Sequence, residues 1–161
     1  MSTWRQFADQ EPEFAAEVQQ SLSSATHHVL ATVRADGSPR VSGTEVSWAF
    51  DDGHGPDLVL GSMPGARKAR DLAADARFAL HSNPGDGSLQ PPDVKVSGRA
   101  VEVLGDEHAR WVREVGPPSP DSHVFRLEPT EIVSTSLDPE RTHLIIRLWQ
   151  PGRGVRAFHR S

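Results

Sequence analysis

The chain has 161 residues and no cysteine, which excludes disulfides, thiolate metal sites and cysteine nucleophiles. Its 17 Lys and Arg against 22 Asp and Glu give a formal net charge of −5, so bulk charge disfavours nucleic acid and anionic membranes as partners. No apolar run has the length of a signal peptide or approaches the roughly 20 residues that span a bilayer. We therefore expect a single cytoplasmic domain over residues 1–161, with no membrane contact.

The N-terminal half begins as a helix and continues as short strands. Residues 11–25 carry an apolar side chain at every fourth position, which predicts a helix with one buried face. Residues 28–33 and 40–50 are rich in β-forming residues and flank an Asp-Gly-Ser-Pro turn, so they predict a hairpin. A compact apolar strand follows at residues 58–60, and residues 66–74 have helical character.

The C-terminal half adds further strands and one more helix. Residues 76–82 and 94–103 predict strands, and Gly98 within the second indicates a bend or a close backbone approach. Residues 106–115 predict a helix. Four more strand segments are expected near residues 123–127, 131–137, 143–149 and 154–159. This series of short strands with three short helices favours a mainly β fold, an antiparallel barrel over about residues 27–159 with peripheral helices.

The strand-to-helix junction at residues 61–68 carries the clearest chemical signal. Arg67 and Lys68 fall in the first turn of the predicted helix, where they face the positive end of the helix dipole at a cost of a few tenths of a kcal/mol or more. A bound anion would reverse the sign of this term, and phosphate is the usual occupant of such a position. Asp71 offers an alternative, because it lies four residues after Arg67 and three after Lys68 and could neutralise either. The segment matches neither a Walker A loop nor a dinucleotide fingerprint.

Other candidate residues allow a structural or a functional interpretation. Residues 141–161 contain five Arg and no Asp or Glu, and they could bind a small anion or form a solvated basic tail. His27 and His28 are adjacent on a strand and point to opposite faces, so they cannot share a metal, and we predict no metal site. Trp48 and Trp111 fit core or interface aromatics better than stacking partners of a cofactor.

Two motifs together give a resemblance to a known family. The pattern LATV-x-x-DG-x-P-x-V-S, followed by GS-x-x-G-x-RKARDL, resembles the flavin-binding core of the pyridoxamine 5'-phosphate oxidase-like split barrels over about residues 25–105. That superfamily also contains enzymes that use the deazaflavin coenzyme F-420. The resemblance implies a split β-barrel with Greek-key-like antiparallel strands. It also implies a homodimer with FMN or F-420 at the interface.

The resemblance assigns roles to particular residues of this chain. Arg67 and Lys68 would hold the cofactor phosphate. Side chains and backbone at the end of one strand and along another would line the ring, and a C-terminal segment would reach the partner's cofactor. The cofactor-binding residues implied in this way are Arg40, Val41, Ser42, Thr44, Ser62, Met63, Gly65, Arg67, Lys68, Trp149 and Arg153.

The function implied is hydride transfer between FMN or F-420 and a small organic substrate. No acid–base dyad is visible, so no catalytic residue is predicted, and hydride transfer itself needs none. The chain lacks the longer C-terminal region of the pyridoxamine oxidases, which argues against vitamin B6 oxidation. Two alternatives stay open at this point: a flavin- or haem-binding protein for storage or sensing without turnover, and a barrel that has lost its site.

Overall fold

The fold is built from nine antiparallel strands and four helices in a computed structural model that describes residues 2–161. The helices are α1 Trp4–Gln10, α2 Pro12–Ser23, α3 Arg67–Ala74 and α4 Gly105–Val115. The strands are β1 His28–Val33, β2 Pro39–Thr44, β3 Val46–Ala49, β4 Asp57–Ser62, β5 Arg77–His81, β6 Asp93–Glu102, β7 His123–Leu137, β8 Leu144–Gln150 and β9 Gly154–Arg160.

The strands form a split barrel with one opening. Hydrogen-bonded neighbours follow the order β2-β1-β5-β6-β7-β4-β3, and β8 pairs with β7 and with β9 as a hairpin. Strands β2 and β3 are the two ends of this path, but only Glu45 separates them in the chain. Between β2 and β3 the barrel is therefore closed by the peptide chain itself and not by hydrogen bonds between the two strands. This architecture confirms the predicted mainly β antiparallel fold.

Two apolar clusters lie on the two faces of the sheet. The larger fills the barrel and extends beneath the N-terminal helices; its fully buried members include Phe7, Val18, Leu30, Leu60, Val96, Ile132 and Trp149. The smaller lies beneath α4 and comprises Phe50, Val59, Val103, Trp111 and Val124. Successive side chains of a strand point to opposite faces, which is why Val124 joins one cluster and Phe125 the other.

The N-terminal segment contains one more helix than the sequence pattern predicts. The helix expected over residues 11–25 is α2, and α1 precedes it. Helix α1 begins with a capping box in which the hydroxyl of Thr3 accepts from the Gln6 amide and the Gln6 side chain accepts from the Thr3 amide. The Thr-x-x-Gln spacing of this motif is visible in the sequence. Trp4 and Phe7 of α1 are buried in the larger cluster.

Strand β7 is a single strand of 15 residues where two shorter strands were expected. Pro129 interrupts the pattern because it has no N–H to donate. It lies opposite Gly98, where the register between β6 and β7 shifts. A Cβ on Gly98 would lie 1.9 Å from the carbonyl oxygen of Glu128, so only glycine fits there. The predicted close backbone approach at Gly98 is confirmed.

Candidate cofactor-binding site

Helix α3 starts with an open N-terminus directly after strand β4. The turn between them closes with a hydrogen bond from the Ala66 amide to the Met63 carbonyl (3.2 Å), and Gly65 adopts the left-handed backbone (φ 75°) that the turn requires. The N-cap residue is Ala66, whose methyl group cannot accept a hydrogen bond. The first amide groups of α3 therefore lack a side-chain cap and are available to an anion.

A cavity of about 600 Å³, which we call the lysine cavity, lies between α3, the C-terminal end of α4 and the β2–β3 bend. Its apolar lining consists of Val46, Met63, Ala66, Trp111, Val115, Pro117 and Pro118. Its polar lining side chains are His27, Thr44, Glu45, Ser47, Ser62, Lys68 and Ser122. The volume falls within the roughly 300–1,000 Å³ of small-molecule sites, and a mainly apolar wall with a few polar groups is typical of them.

Lys68 is the cation of this cavity. Its ammonium group donates to two neutral oxygens, the Gly43 carbonyl and the Thr44 hydroxyl, each at 3.3 Å. Burial lowers the pKa of Lys68 below its usual 10.5, and the nearby carboxylate of Glu45 only partly opposes this shift. Within residues 2–161 Lys68 forms no ion pair, so an anionic ligand would supply the negative counter-charge that this ammonium group lacks.

A second cavity of about 520 Å³ lies on the other side of α3, and we call it the arginine cavity. Four guanidinium groups line it, together with two carboxylates; these residues are Arg34, Arg40, Arg67, Arg70, Asp36 and Asp71. Arg67 and Lys68 thus open onto different cavities, because consecutive helical residues point about 100° apart. That both cations hold one phosphate stays a prediction.

Asp71 does not neutralise the two cations at the start of α3. Its carboxylate accepts from Arg40 Nε (2.7 Å) and from the Thr32 hydroxyl (2.7 Å), and the side chain is only 7% exposed. The hydrogen bond from Arg40 lowers the pKa of Asp71, against the opposing effect of burial, and Thr32 adds to the lowering. The alternative in which Asp71 pairs with Arg67 or Lys68 is therefore wrong, and α3 is instead tied to β1 and β2.

The predicted cofactor residues fall into three groups in the structure. Thr44, Ser62, Met63 and Lys68 line the lysine cavity, and Arg40 and Arg67 line the arginine cavity. The remaining ones line neither cavity: Val41, Ser42, Gly65, Trp149 and Arg153.

The C-terminal candidates lie apart from α3. Trp149 is fully buried, with its ring centroid 4.6 Å from that of Phe7, so its side chain is committed to the core of its own chain and is not free to reach a partner's cofactor. Arg153 is exposed in the β8–β9 turn, and its role stays a prediction. The basic tail is strand β9 and the hairpin leading to it rather than a loose extension.

The α4 side of the lysine cavity was not predicted as part of the site. Trp111 packs against Gly61, where an added Cβ would lie 3.4 Å from the indole Cζ2. His108, one turn earlier, donates from Nε2 to the Ser122 carbonyl (2.7 Å) and thereby holds the end of the proline-rich loop against α4. The loop signal was visible in Pro117 and Pro118, but which cavity the loop would border depends on the tertiary fold.

The antiparallel split barrel, with the N-terminus of a helix bordering a cavity at the barrel rim, defines the class of the protein. The sequence matches the family model described as pyridoxamine 5'-phosphate oxidase over residues 14–136, more than half of its length. The chain belongs to this family, as its two motifs indicate. No curated protein matches the chain with significance.

Solved structures with this fold have varied ligands. A pyridoxamine 5'-phosphate oxidase-related, FMN binding protein from Nostoc punctiforme aligns with a TM-score of 0.64 and 13% identity, covering 98% of this chain and 99% of that one. A heme binding protein from Mycobacterium smegmatis aligns with a TM-score of 0.55 and 17% identity over 90% and 86% of the two chains. An F-420 reductase aligns with a TM-score of 0.51 and 21% identity over 70% and 94%. At such identities the similarity shows the fold.

The lysine cavity fits a phosphate-bearing ring compound. Lys68 and the uncapped amides of α3 suit the anionic end, and the apolar wall around Trp111 suits a planar ring. Within the described part of the chain, residues 2–161, no three His, Asp or Glu side chains group closely enough to hold a metal ion. No helix in that part is long and apolar enough to cross a membrane.

Proposed function

We propose that this chain is an oxidoreductase that binds FMN or coenzyme F-420 in the lysine cavity. The observation that carries the proposal is the half-buried Lys68, which has no ion-pair partner among residues 2–161 and lies at the uncapped start of α3 on a mainly apolar cavity. A buried cation without a counter-ion is costly, and a cofactor phosphate would offset that cost. Membership in the family, whose relatives include an FMN binding protein and an F-420 reductase, supports the same cofactors.

The chain's own contribution to the reaction is binding, orientation and exclusion of water. The bound cofactor would supply the hydride chemistry. Trp111, Val46 and the two prolines provide an apolar wall that keeps water from one side of the ring. The titratable pair at the rim, His27 and Glu45, lies 3.4 Å apart and is largely exposed. We therefore assign no proton donor and propose a small organic substrate that reaches the ring from the open side.

We further propose that the protein is a homodimer. Within the described residues 2–161, strand β2 pairs only with β1 and forms one end of the sheet, and its Val41 is 71% exposed. Met63, at the rim of the lysine cavity, is exposed to the same extent. Apolar side chains left in solvent at a sheet edge and at a cavity rim suit a covered interface. Sedimentation velocity should show a dimer, and Val41→Asp should shift the protein toward the monomer.

The absorbance spectrum of the purified protein, with mass spectrometry of any released ligand, tests the cofactor. We expect a flavin or deazaflavin spectrum, or saturable binding when FMN or F-420 is added. A double variant, Arg67→Ala with Lys68→Ala, should weaken binding by at least tenfold, because charge-assisted hydrogen bonds contribute about 1.5–3 kcal/mol each. Lys95→Ala is the matched control, since Lys95 is the only other lysine and is exposed on β6. Equal affinity of the double variant and the wild type would contradict the phosphate assignment.

Two further readouts separate the alternatives. Relative affinity for FMN and F-420 decides between the two cofactors. Turnover with a panel of small hydride acceptors decides between an enzyme and a binding protein. A storage or sensing protein would hold the ligand without oxidising a donor or reducing an acceptor. A haem spectrum in place of a flavin spectrum would overturn the proposed cofactor.

A further inference from the structure

The arginine cavity carries positive charge that its own carboxylates do not neutralise. Two carboxylates line it, and both are engaged within the chain. Asp71 accepts from Arg40 and Thr32. Asp36 accepts from the amide of Ser38 (2.9 Å) and from its hydroxyl. The lining guanidinium groups that form no ion pair in the described part of the chain, residues 2–161, are those of Arg34, Arg67 and Arg70.

Arg40 pairs with Asp71 through one nitrogen and keeps two others available. Its Nε donates to the carboxylate (2.7 Å), whereas neither terminal nitrogen forms a hydrogen bond with residues 2–161. The side chain is 18% exposed. The fully buried side-chain atoms without a partner in that range belong to other residues, so solvent reaches both terminal nitrogens of Arg40. Arg40 can therefore hold Asp71 and donate to a ligand in the cavity at the same time.

Two segments bring the unpaired guanidinium groups to this cavity. Arg67 and Arg70 lie in the first turn of α3, which contains no acidic residue, so their charges oppose the helix dipole. Arg34 follows β1 in a turn closed by the hydrogen bond from its amide to the Ser38 carbonyl (2.9 Å). The hydrogen bond from Arg40 is the main cause of the lowered pKa of Asp71, and the positive charge of Arg34 adds to it. Arg34 therefore carries its charge toward α3.

The charge and geometry of the cavity suit a phosphate group. The chain as a whole has a net charge of −5, yet four guanidinium groups and two carboxylates leave this cavity with a formal charge of +2. A phosphate monoester carries a charge of about −1.5 to −2 at pH 7 and offers three acceptor oxygens, whereas a carboxylate offers one charge and two oxygens. The planar fork of a guanidinium group matches phosphate oxygens two at a time. The volume of about 520 Å³ admits a small phosphorylated molecule.

We infer that the arginine cavity is a second anion site, which binds the phosphate group of a small phosphorylated ligand independently of the lysine cavity. The inference goes beyond the proposed function, because it concerns a different cavity and does not involve Lys68. Arg67, which the family resemblance assigns to the cofactor phosphate, then serves this second site.

Titration of inorganic phosphate into Lys68→Ala tests the inference. This variant lacks the cation of the lysine cavity, so the phosphate that it binds reports on the arginine cavity. We expect saturable binding of one phosphate per chain by isothermal titration at low ionic strength. Adding Arg34→Gln and Arg70→Gln should weaken this binding at least tenfold, because two charge-assisted contacts are lost. Both side chains are exposed and outside any ion pair of residues 2–161, so the variant should keep its fold.

Arg99→Gln with Arg113→Gln in the same background is the matched control. These two arginines are also exposed but lie outside the arginine cavity, and their replacement changes the net charge by the same amount. The control should bind phosphate within twofold of Lys68→Ala. Acetate should bind Lys68→Ala at least tenfold more weakly than phosphate. Absence of saturable phosphate binding, equal affinities of the cavity variant and the control, or equal affinities for acetate and phosphate would each overturn the inference.

Titration of FMN and F-420 separates this inference from the proposed function. Arg34→Gln with Arg70→Gln, made without the change at Lys68, should bind the cofactor within twofold of the Arg99 and Arg113 control, because neither residue lines the lysine cavity. A tenfold loss would make the arginine cavity part of the cofactor site and would overturn the inference of a second site. Failure of the wild type to bind either cofactor would contradict the proposed function alone, since the phosphate titration does not depend on it.

Discussion

The two cavities beside α3 differ in how their charges are matched. In the arginine cavity, Asp71 is buried and bound by Arg40 and Thr32, so the charge and its counter-charge belong to the same chain. In the lysine cavity, Lys68 donates to the neutral oxygens of Gly43 and Thr44, and the carboxylate of Glu45 is near without forming an ion pair with it in the described residues 2–161. The buried carboxylate of Asp71 is thus paired within the chain, whereas the half-buried ammonium group of Lys68 forms no ion pair within residues 2–161. The difference separates residues that hold the fold from residues that serve the site.

The largest effect is expected from breaking the ion pair between Arg40 and Asp71. Asp71→Asn leaves Arg40 without its counter-ion and should lower the free energy of unfolding by about 3 kcal/mol, as for loss of one partner of a buried ion pair. Urea unfolding measures this change. Asp75→Asn, at the other end of α3, is the control, because Asp75 pairs with Arg77 on the exposed surface and should matter far less. Equal stability of Asp71→Asn and wild type would contradict the structural role.

Acid unfolding checks the same ion pair from the other direction. The hydrogen bond from Arg40 lowers the pKa of Asp71 in the folded protein, so the stabilisation is present above the pKa of the unfolded state, about 3.9, and is lost as pH falls through the lower folded value. The stability of Asp71→Asn should therefore fall less steeply than that of the wild type below about pH 4. Parallel acid-unfolding curves of Asp71→Asn and wild type would show that this ion pair is not the source of the stability lost at low pH.

The second effect concerns the two cations at the start of α3, Arg67 and Lys68. Lys68→Ala should weaken FMN or F-420 binding by about 10- to 100-fold, while Arg67→Ala should weaken it less, because only Lys68 lines the cavity proposed to hold the cofactor. Stability should change little in either variant, because neither cation has an ion-pair partner within residues 2–161. Isothermal titration of the two variants measures the difference. A larger effect for Arg67→Ala would move the phosphate toward the arginine cavity.

The parts of this contrast that the sequence could predict are those that local chemistry determines. The strand-to-helix junction, the hairpin of β1 and β2 and the close approach at Gly98 follow from turn residues and from glycine within a strand. The partner of Asp71 does not follow, because Arg40 is 31 residues away and the two meet only when α3 packs on β1, the neighbour of β2. The sequence pattern indicates only the helical neighbours of Asp71 three and four residues away, which are Lys68 and Arg67.

Trp111 shows the same limit. Its burial could be predicted from the apolar spacing of α4, but its contact with Gly61, on a strand 50 residues earlier, could not. Trp149 shows the converse. Its sequence context resembles a cofactor-contacting tail, yet Phe7 covers its ring, and Phe7 lies on a helix that the sequence pattern did not predict. Site residues that adjacent segments supply are predictable, and those that distant segments supply are not.

The pH dependence of binding sharpens the contrast on the lysine side. Because burial lowers the pKa of Lys68, the wild type should lose affinity for the cofactor phosphate as pH rises toward that lowered pKa, which lies below the usual 10.5. Phosphate itself is already fully charged there, since its second pKa is about 6. Lys68→Arg should keep its affinity over the pH range in which the wild type loses it, because a guanidinium stays protonated. Identical pH profiles of the two proteins would show that Lys68 does not contact the anion.

The smallest expected effect concerns Glu45, the carboxylate that raises the pKa of Lys68 against the effect of burial. Glu45→Gln removes a negative charge from the lining of the lysine cavity and should tighten binding of the anionic ligand by about twofold at neutral pH, since an exposed charge contributes little. The same change should shift the alkaline loss of affinity to lower pH, because Lys68 then loses its proton more easily. Glu114→Gln on α4, whose carboxylate pairs with Arg110 outside the cavity, is the control and should leave both quantities unchanged. Weaker binding by Glu45→Gln at neutral pH would mean that Glu45 holds Lys68 in place, so that the lysine side, too, depends on a charge of its own chain.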